Sequence, residues 1–340
     1  MNLVLLRRRT VVLLMALMVS ASRPSPLSAS APDDPADAED RQIARRGVDL
    51  MMDGDLDGAH EVFHQIQIRD PHSPVGYLLE AETLWWRIYY STANLLDPDV
   101  FDVASLNVTP QDSHFNDLLG VAIERSEAGM RAHDDPARSL LYEGMAYALR
   151  ARLEGLRGKD LPTCRAGKKM RALLMRSIAM DPTLADAYLG LGVYNYLMGT
   201  LPFADKILQL VVALPAGNRE SGLEQLRRAA KEGELMGGEA KFFLAKDLSR
   251  ASENAPAKSL ALFEELSRAY PNNPLWPLVT ASVKLRMGSK SDSEASIARS
   301  SSGRPPSATT PNAASTAPRA PPCSRNTPTK NSENNGGGAA

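Results

Sequence analysis

Cysteine is scarce in this sequence of 340 residues, which contains only Cys164 and Cys323. Two cysteines are too few for a disulfide scaffold, and they supply none of the paired CxxC motifs that build structural zinc sites. Cys323 also lies in a segment without any folding pattern. We therefore expect both thiols to be unpaired.

An excess of charge of either sign is also absent. The chain has 39 Lys and Arg against 40 Asp and Glu, which gives a formal net charge of -1. A protein that binds nucleic acid through its charge carries a basic surplus. The balance therefore gives no reason to expect a nucleic-acid partner.

Several motifs of catalytic and cofactor sites are missing as well. The sequence contains no GxSxG nucleophile turn, no GxGxxG dinucleotide motif and no P-loop. The Ser, His and Asp residues form no recognisable nucleophile arrangement. We therefore expect no cofactor, no small-molecule substrate and no catalytic activity.

Long apolar runs are lacking except for a short one near the start of the chain. Val11–Val19 is an apolar stretch of nine residues that follows three consecutive arginines, Arg7–Arg9. A membrane-spanning helix needs about 20 apolar residues. The small residues around Ala21 and Ala31 offer two cleavage sites. Residues 1–31 are thus predicted to be a signal peptide, and the protein to be exported to the periplasm or secreted.

The remainder of the chain divides into three parts by composition. Residues 32–40 are rich in Pro, Ala and Asp, which is typical of a linker. From Arg41 to Gly288 the apolar residues recur with helical spacing, and Gly and Pro fall between the helices. No run of alternating β-branched residues indicates a strand. The fold class is therefore predicted to be all-α.

One segment shows how these helices pair. Gly47 and Ala59 are small residues at which two helices can cross closely, and Leu50 and Phe63 are large residues that fill the space beside them. Pro71 closes the second helix, because the residue before a proline avoids the helical conformation. This spacing resembles the tetratricopeptide repeat of about 34 residues.

The pattern returns along the chain. Parts of it recur around Gly144, Gly192 and Phe263, so that about five irregular repeats cover residues 41–288. Asn218 has the side chain of a helix cap, for a helix that runs to about Lys231. Three insertions are predicted to interrupt the pairs, at Ser91–Ser113, Leu153–Arg165 and Thr200–Gly217.

The middle of the chain has a more particular likeness. LLEAETLWWR, LGLGVYNYLMGTLP, ALPAGNRESGLEQLRRAAKEG and YPNNPLW together resemble a family of uncharacterised exported bacterial tetratricopeptide proteins. The resemblance covers residues 41–288. It implies an α-α superhelical solenoid of tetratricopeptide-type helix pairs with inserted helices, and it brings no established activity.

Residues 289–340 differ from everything before them. Ile297 is their only large apolar residue, and Ser, Pro, Ala and Asn dominate the rest. Such a segment cannot bury enough surface to fold, so we expect a disordered tail. It is either a native tail or the product of a reading-frame shift.

A histidine motif provides the main alternative to a non-catalytic protein. His60-Glu61-Val62-Phe63-His64 is an HExxH sequence, in which the two histidines stand one helical turn apart and can bind zinc. Glu61 would then be the base of a zinc metallopeptidase, with Glu80 or Glu82 as a third ligand. The repeat register favours the other interpretation, since it places Phe63 and Ile66 inside and the histidines on the outer surface.

Solenoids of this type usually bind partners in a groove lined by the first helix of each pair. Here the predicted groove residues are apolar, which suits a protein or peptide partner with an apolar segment. They are Met51, Met52, Trp85, Trp86, Met145, Val193 and Tyr196. We therefore expect an interaction scaffold or binding module of the bacterial cell envelope. Alternatively, the inserted helix 201–214 covers this groove or contacts a membrane surface.

Overall fold

The computed structural model describes residues 35–91, 108–200 and 214–288, together with Ser293 and Ile297. Within these ranges the chain forms eleven α-helices, one short 3-10 helix at Ala251–Glu253 and no strand. The prediction of an all-α fold is confirmed for this part of the chain. The helices are α1 Pro35–Met52, α2 Leu56–Arg69, α3 Val75–Tyr90, α4 Pro110–Ala132, α5 Pro136–Leu156, α6 Asp160–Met180, α7 Ala187–Thr200, α8 Arg219–Glu232, α9 Gly237–Leu248, α10 Pro256–Ala269 and α11 Leu275–Arg286.

The chain divides into two compact units, Met1–Ala38 and Glu39–Ala340, and the helix packing belongs to the second. From α2 to α11, each helix packs against the next one in the sequence. The packing of α1 against α2 is seen in the close approach of Gly47 to Phe63. The first helices of successive pairs also meet, α3 with α5 and α5 with α7. This is an α solenoid of tetratricopeptide-type pairs, as the sequence predicts.

The first pair forms for the predicted reason. A Cβ atom on Gly47 would collide with the ring of Phe63, which is completely buried between α1 and α2. Ala59 and Ile66 are completely buried on the same face of α2. Close approach of two helices at a glycine brings an aromatic ring into full contact, and this burial stabilises the pair by about 2–3 kcal/mol per large side chain.

The same device recurs at α7 and α8. A Cβ atom on Gly192 would lie 2.8 Å from Cγ of Leu226 and 3.0 Å from the carbonyl oxygen of Gly222. The side chain of Asn218 accepts a hydrogen bond from the backbone N–H of Ser221 at 2.8 Å and caps α8. The predicted cap at Asn218 is thereby confirmed, and α8 ends at Glu232.

Several predicted boundaries need correction. Helix α1 begins at Pro35, inside the stretch interpreted as a linker over residues 32–40. Helix α5 continues to Leu156 and α6 begins at Asp160, so the insertion predicted at Leu153–Arg165 shrinks to residues 157–159. The apolar residues keep their helical spacing through both segments, and an interpretation from composition alone overlooks it. The insertions after Ser91 and Thr200, including the predicted helix 201–214, lie largely outside the described residues.

Two further expectations also change. Cys164 is disulfide-bonded, so the prediction of an unpaired thiol is wrong for this residue. The hydroxyl of Ser293 is buried and donates a hydrogen bond to the carbonyl oxygen of Ala281 in α11, 3.2 Å away. A residue of the predicted tail therefore contacts the last helix. Cys323 and most of residues 289–340 lie outside the described residues, as do the predicted signal peptide 1–31 and its cleavage sites.

The last two helices pack against the end of the first one. The side chains of Asn273 and Trp276 both donate hydrogen bonds to the carbonyl oxygen of Met52, at 2.8 and 3.0 Å. The hydroxyl of Tyr270 lies 3.3 Å from a carboxylate oxygen of Asp49. The first and last repeats are thus joined directly, which places the first helices of several pairs around a common interior.

Candidate functional site

The seven residues predicted to line a partner-binding groove lie in this interior. Six are buried, and Val193 is half-buried against the same core. Even the largest are covered, since Trp86 is 2% exposed and Tyr196 is 0% exposed. The residues in question are Met51, Met52, Trp85, Trp86, Met145, Val193 and Tyr196.

Aromatic rings from the chain itself fill the space in front of these side chains. The ring centroid of Phe242 in α9 lies 5.5 Å from that of Trp86 in α3 and 5.7 Å from that of Trp276 in α11. The two indoles meet edge to face at 6.1 Å. These are the separations at which aromatic pairs attract one another. We call Trp86, Tyr89, Phe242, Phe243 and Trp276 the aromatic cluster.

The aromatic cluster changes the interpretation of the predicted groove. The cavity left beside it, bounded by Trp85 and Glu239 as well, measures about 10 Å³, which is room for about one water molecule. No amino-acid side chain of a partner fits there without displacing the rings. In this conformation the seven residues belong to the core, and Phe242 in α9 and Trp276 in α11 pack against Trp86.

A buried ion cluster lies at the edge of the aromatic cluster. Nη1 of Arg152 in α5 is 3.1 Å from Oε1 of Glu82 in α3 and 2.5 Å from Oε1 of Glu239 in α9. The guanidinium also stands over the ring of Phe243, 4.9 Å from its centroid. One arginine therefore ties together three first helices, at a place where all three charged side chains are withdrawn from water.

The electrostatics of this cluster follow from its composition of two carboxyl groups and one guanidinium. Burial raises the pKa of Glu82 well above its ordinary value, and the neighbouring Glu239 raises it further, against the lowering effect of Arg152. Burial acts to lower the pKa of Arg152, but both carboxyl groups outweigh it and raise that pKa. Burial and the second carboxyl group thus favour the neutral form of Glu82, and Arg152 favours its ionised form.

A second buried pair fixes the start of α4. The guanidinium of Arg157 donates two hydrogen bonds to the carboxylate of Asp112, at 2.6 and 2.8 Å. Burial would raise the pKa of Asp112, but hydrogen bonds from Arg157 and Thr109 outweigh it and hold that pKa at about 2. This fork joins the N-terminus of α4 to the end of α5.

Sequence reasoning missed these ionic groups. The available signal was charge within apolar helices, as at Glu82 in LLEAETLWWR and Glu239 in α9, where a polar side chain interrupts the inward face. Such positions indicate buried pairing, but the sequence does not say which residues pair. Glu82 and Arg152 are 70 residues apart, and Arg152 and Glu239 are 87 apart.

The HExxH motif lies where the repeat register places it. Phe63 and Ile66 face inward and are completely buried, whereas His60 and His64 share the outer face of α2, with ring centroids 6.0 Å apart. Nδ1 of His60 is 3.0 Å from Oε1 of Glu80, one of the two residues considered as a third ligand.

The surroundings of Glu80 are those of an ordinary polar contact between helices. Its carboxylate accepts a hydrogen bond from Gln67 and lies 3.6 Å from Nε2 of His114. Glu82, the other considered ligand, points into the ion cluster instead. Among the residues that the structure describes, no group of three or more His, Cys, Asp or Glu side chains is arranged to hold a metal ion.

Comparison with known proteins adds little to this geometry. No protein-family description matches the chain, and none of the curated proteins is similar to it. Among solved structures, the chain is similar to a thermophilic tetratricopeptide repeat protein of Thermus thermophilus, at 15% identity and a TM-score of 0.41. The likeness covers 72% of this chain and 99% of that one. At these values the likeness carries no argument about function. The function proposed below rests on the contacts described above.

None of the helices within the described ranges is both long enough and apolar enough to cross a bilayer.

Proposed function

We propose that this chain is a non-catalytic scaffold of the bacterial cell envelope that binds other proteins. The observation that carries the proposal is that the chain's own aromatic, ionic and amide side chains bind one another within the fold. The aromatic cluster fills the interior, Arg152 pairs with both Glu82 and Glu239, and Asn273 and Trp276 join the last repeat to the first. Among the described residues, a partner would therefore bind to the outer surface of the helices.

The chemistry of the partner follows from the apolar side chains left outside. Ile68 in the last turn of α2 is 68% exposed, and Met180 at the end of α6 is 53% exposed. Leu285 and Met287 are exposed around the end of α11. Contacts of this kind suit an apolar segment of a protein or peptide, and the net charge of -1 gives no support for nucleic acid.

The test is identification and reconstitution of the partner. Cross-linking in the native host should recover a protein that also binds the purified chain directly. Ile68→Glu should weaken this binding at least about tenfold if the end of α2 takes part, while Ile297→Glu in the predicted tail should leave it unchanged. A purified chain that binds none of the cross-linked proteins would overturn the proposal.

The alternative of a zinc metallopeptidase requires different behaviour. Purified protein would contain stoichiometric zinc and would cleave casein, and Glu61→Gln would abolish the cleavage. The scaffold proposal expects neither result. Zinc in one-to-one ratio together with Glu61-dependent cleavage would replace it with an enzyme.

Export is a further part of the proposal. Its support is the arginine-rich start, the short apolar stretch Val11–Val19 and the small residues after it. Fractionation of the host should find a shortened chain outside the cytoplasm. Full-length protein retained in the cytoplasm would contradict this part and leave the binding role to be tested separately.

A further inference from the structure

The outward face of α6 differs from those of the other second helices in its charge. Arg165, Lys168 and Arg176 are all exposed, and within the described residues none of them makes an ion pair or hydrogen bond. A fourth exposed cation, Lys169, lies 3.2 Å from a carboxylate oxygen of Glu143. The helix contains one acidic residue, Asp160 in its first turn. The face is therefore basic along its length.

Other outer helices carry both signs. In α8, Arg227 pairs with Glu224 and Arg228 with Glu232. In α4, Arg131 faces Glu127 at 3.8 Å. Exposed cations elsewhere are thus balanced by carboxylates one turn away, as is usual for a solvated helix face. On α6 nothing within the helix balances them.

The three unpaired cations lie on one stripe, together with apolar side chains. Positions three, four and seven residues apart share a face of a helix, so Leu161, Arg165, Lys168, Met175 and Arg176 lie within one stripe about 100° wide. From Arg165 to Arg176 the stripe extends about 17 Å. Leu161 is 44% exposed and Met175 is 43% exposed, so apolar groups alternate with the charges.

We propose that this stripe of α6 docks on an anionic lipid surface. Charge complementarity points to phosphate-bearing headgroups, and the interspersed Leu and Met side chains match the boundary between headgroups and acyl chains. The face belongs to a helix packed on one side against α5 and α7, and a single exposed helix face meets a flat surface more readily than it encloses a peptide. The proposal goes beyond the scaffold role, since it concerns what holds the scaffold in place.

The magnitude expected is that of a peripheral, salt-sensitive contact. Each Lys or Arg near an anionic bilayer strengthens binding roughly fivefold, so three give on the order of 100-fold. Exposed charges are screened beyond about 10 Å at 0.1 M salt. Charges on other faces of the protein therefore contribute little, and binding falls steeply as salt is added.

The experiment measures sedimentation with vesicles, using the chain in the form that accumulates in its host. Vesicles of phosphatidylcholine with about one third phosphatidylglycerol are compared with vesicles of phosphatidylcholine alone. The charge-reversal variant Arg165→Glu/Lys168→Glu/Arg176→Glu is compared with a control of equal charge change, Arg45→Glu/Arg46→Glu/Lys258→Glu, whose three cations are exposed on α1 and α10. Circular dichroism verifies that both variants fold, and a triple Gln variant of the same α6 positions replaces the reversal if it does not.

The expected result is binding to the anionic vesicles only, lowered by at least about 100-fold in the α6 charge-reversal variant and by less than about threefold in the control. Equal losses in both variants would overturn the proposal, because net charge alone would then explain binding. The absence of vesicle binding would also overturn the proposal. If the chain binds poly-glutamate but not the vesicles, the stripe binds an acidic polypeptide instead.

Discussion

The indole Nε1–H of Trp276 donates a hydrogen bond to the carbonyl oxygen of Met52, which is 3.0 Å away and 224 residues earlier in the chain. Met52 is the last residue of α1, so no backbone N–H of that helix donates a hydrogen bond to its carbonyl oxygen. The amide of Asn273 donates to the same oxygen. Two side chains of the last repeat thus satisfy the end of the first helix, and this contact joins the two ends of the solenoid.

Asn273→Ala is expected to lower the free energy of unfolding by about 1–3 kcal/mol. It removes the donor to Met52 and Tyr90 and the acceptor for the backbone N–H of Leu275, all in a buried place. The neighbouring Asn272→Ala provides the control, because Asn272 is exposed and bonds only to Asp53, which should be worth less than about 1 kcal/mol. Urea unfolding measures both, and equal losses would show that the junction contributes no more than a surface contact.

Arg152→Ala is expected to cost about 3–5 kcal/mol at pH 7, since it leaves two buried carboxyl groups without their cation. Glu82→Gln is expected to cost less than about 1 kcal/mol, because burial and the neighbouring Glu239 raise the pKa of Glu82 and so favour the neutral form, which Gln matches in shape. Chemical unfolding compares the two variants. A loss from Glu82→Gln as large as that from Arg152→Ala would show that Glu82 is ionised in the folded protein.

The repeat register was predictable from sequence because it depends on local size. Gly47 beside Phe63 and Gly192 beside Leu226 are small and large residues at fixed spacing, and the structure places them in contact. Asn218 was predictable as a cap for the same reason, since its hydrogen bond reaches only three residues.

The filling of the interior was not predictable in this way. Whether Trp86 faces a partner or Phe242 depends on how far each pair rotates relative to the next, and small rotations add up over several repeats. The residues that close the structure, Asn273 and Trp276, carry no sequence signal of their distant acceptor. Sequence therefore predicted the lining of the first-helix face, with an inserted helix as one possible cover, but not that Phe242 and Trp276 pack against it.

Substitutions in the HExxH motif should separate its structural residue from its histidines. Phe63→Ala opens a cavity against Gly47 and is expected to cost about 3–5 kcal/mol. His64→Ala should cost less than about 0.5 kcal/mol, as exposed substitutions usually do. His60→Ala should cost up to about 1 kcal/mol, because Glu80 loses one neighbour but keeps Gln67. Thermal and urea unfolding with and without added zinc measure these values.

The opposite ranking would contradict the repeat register at α2. If either histidine variant lost more stability than Phe63→Ala, or if zinc stabilised the wild type and neither histidine variant, the motif would be a metal site rather than an outer surface.

Stability should fall as pH rises from about 5 to 7, in part because of Asp247. Burial raises the pKa of Asp247 to about 7 from its ordinary value of 3.8, although Arg250 and Lys246 act to lower it. Between these values the folded protein binds one more proton than the unfolded chain, so the free energy of unfolding decreases by up to about 1.4 kcal/mol per pH unit. The contribution is complete below pH 4 and is lost as pH passes through 7.

Asp247→Asn replaces this carboxyl by a neutral side chain of equal size, so it should remove that slope. The difference in free energy of unfolding between variant and wild type is then expected to rise with pH between 5 and 7. Asp112 does not interfere, because its pKa of about 2 confines its opposite effect to acid below pH 4. Asp117→Asn, at an exposed carboxyl on α4, should give a curve parallel to that of the wild type. Urea unfolding at pH 5, 6 and 7 makes the comparison, and a parallel curve for Asp247→Asn would mean that Asp247 is ionised throughout this range.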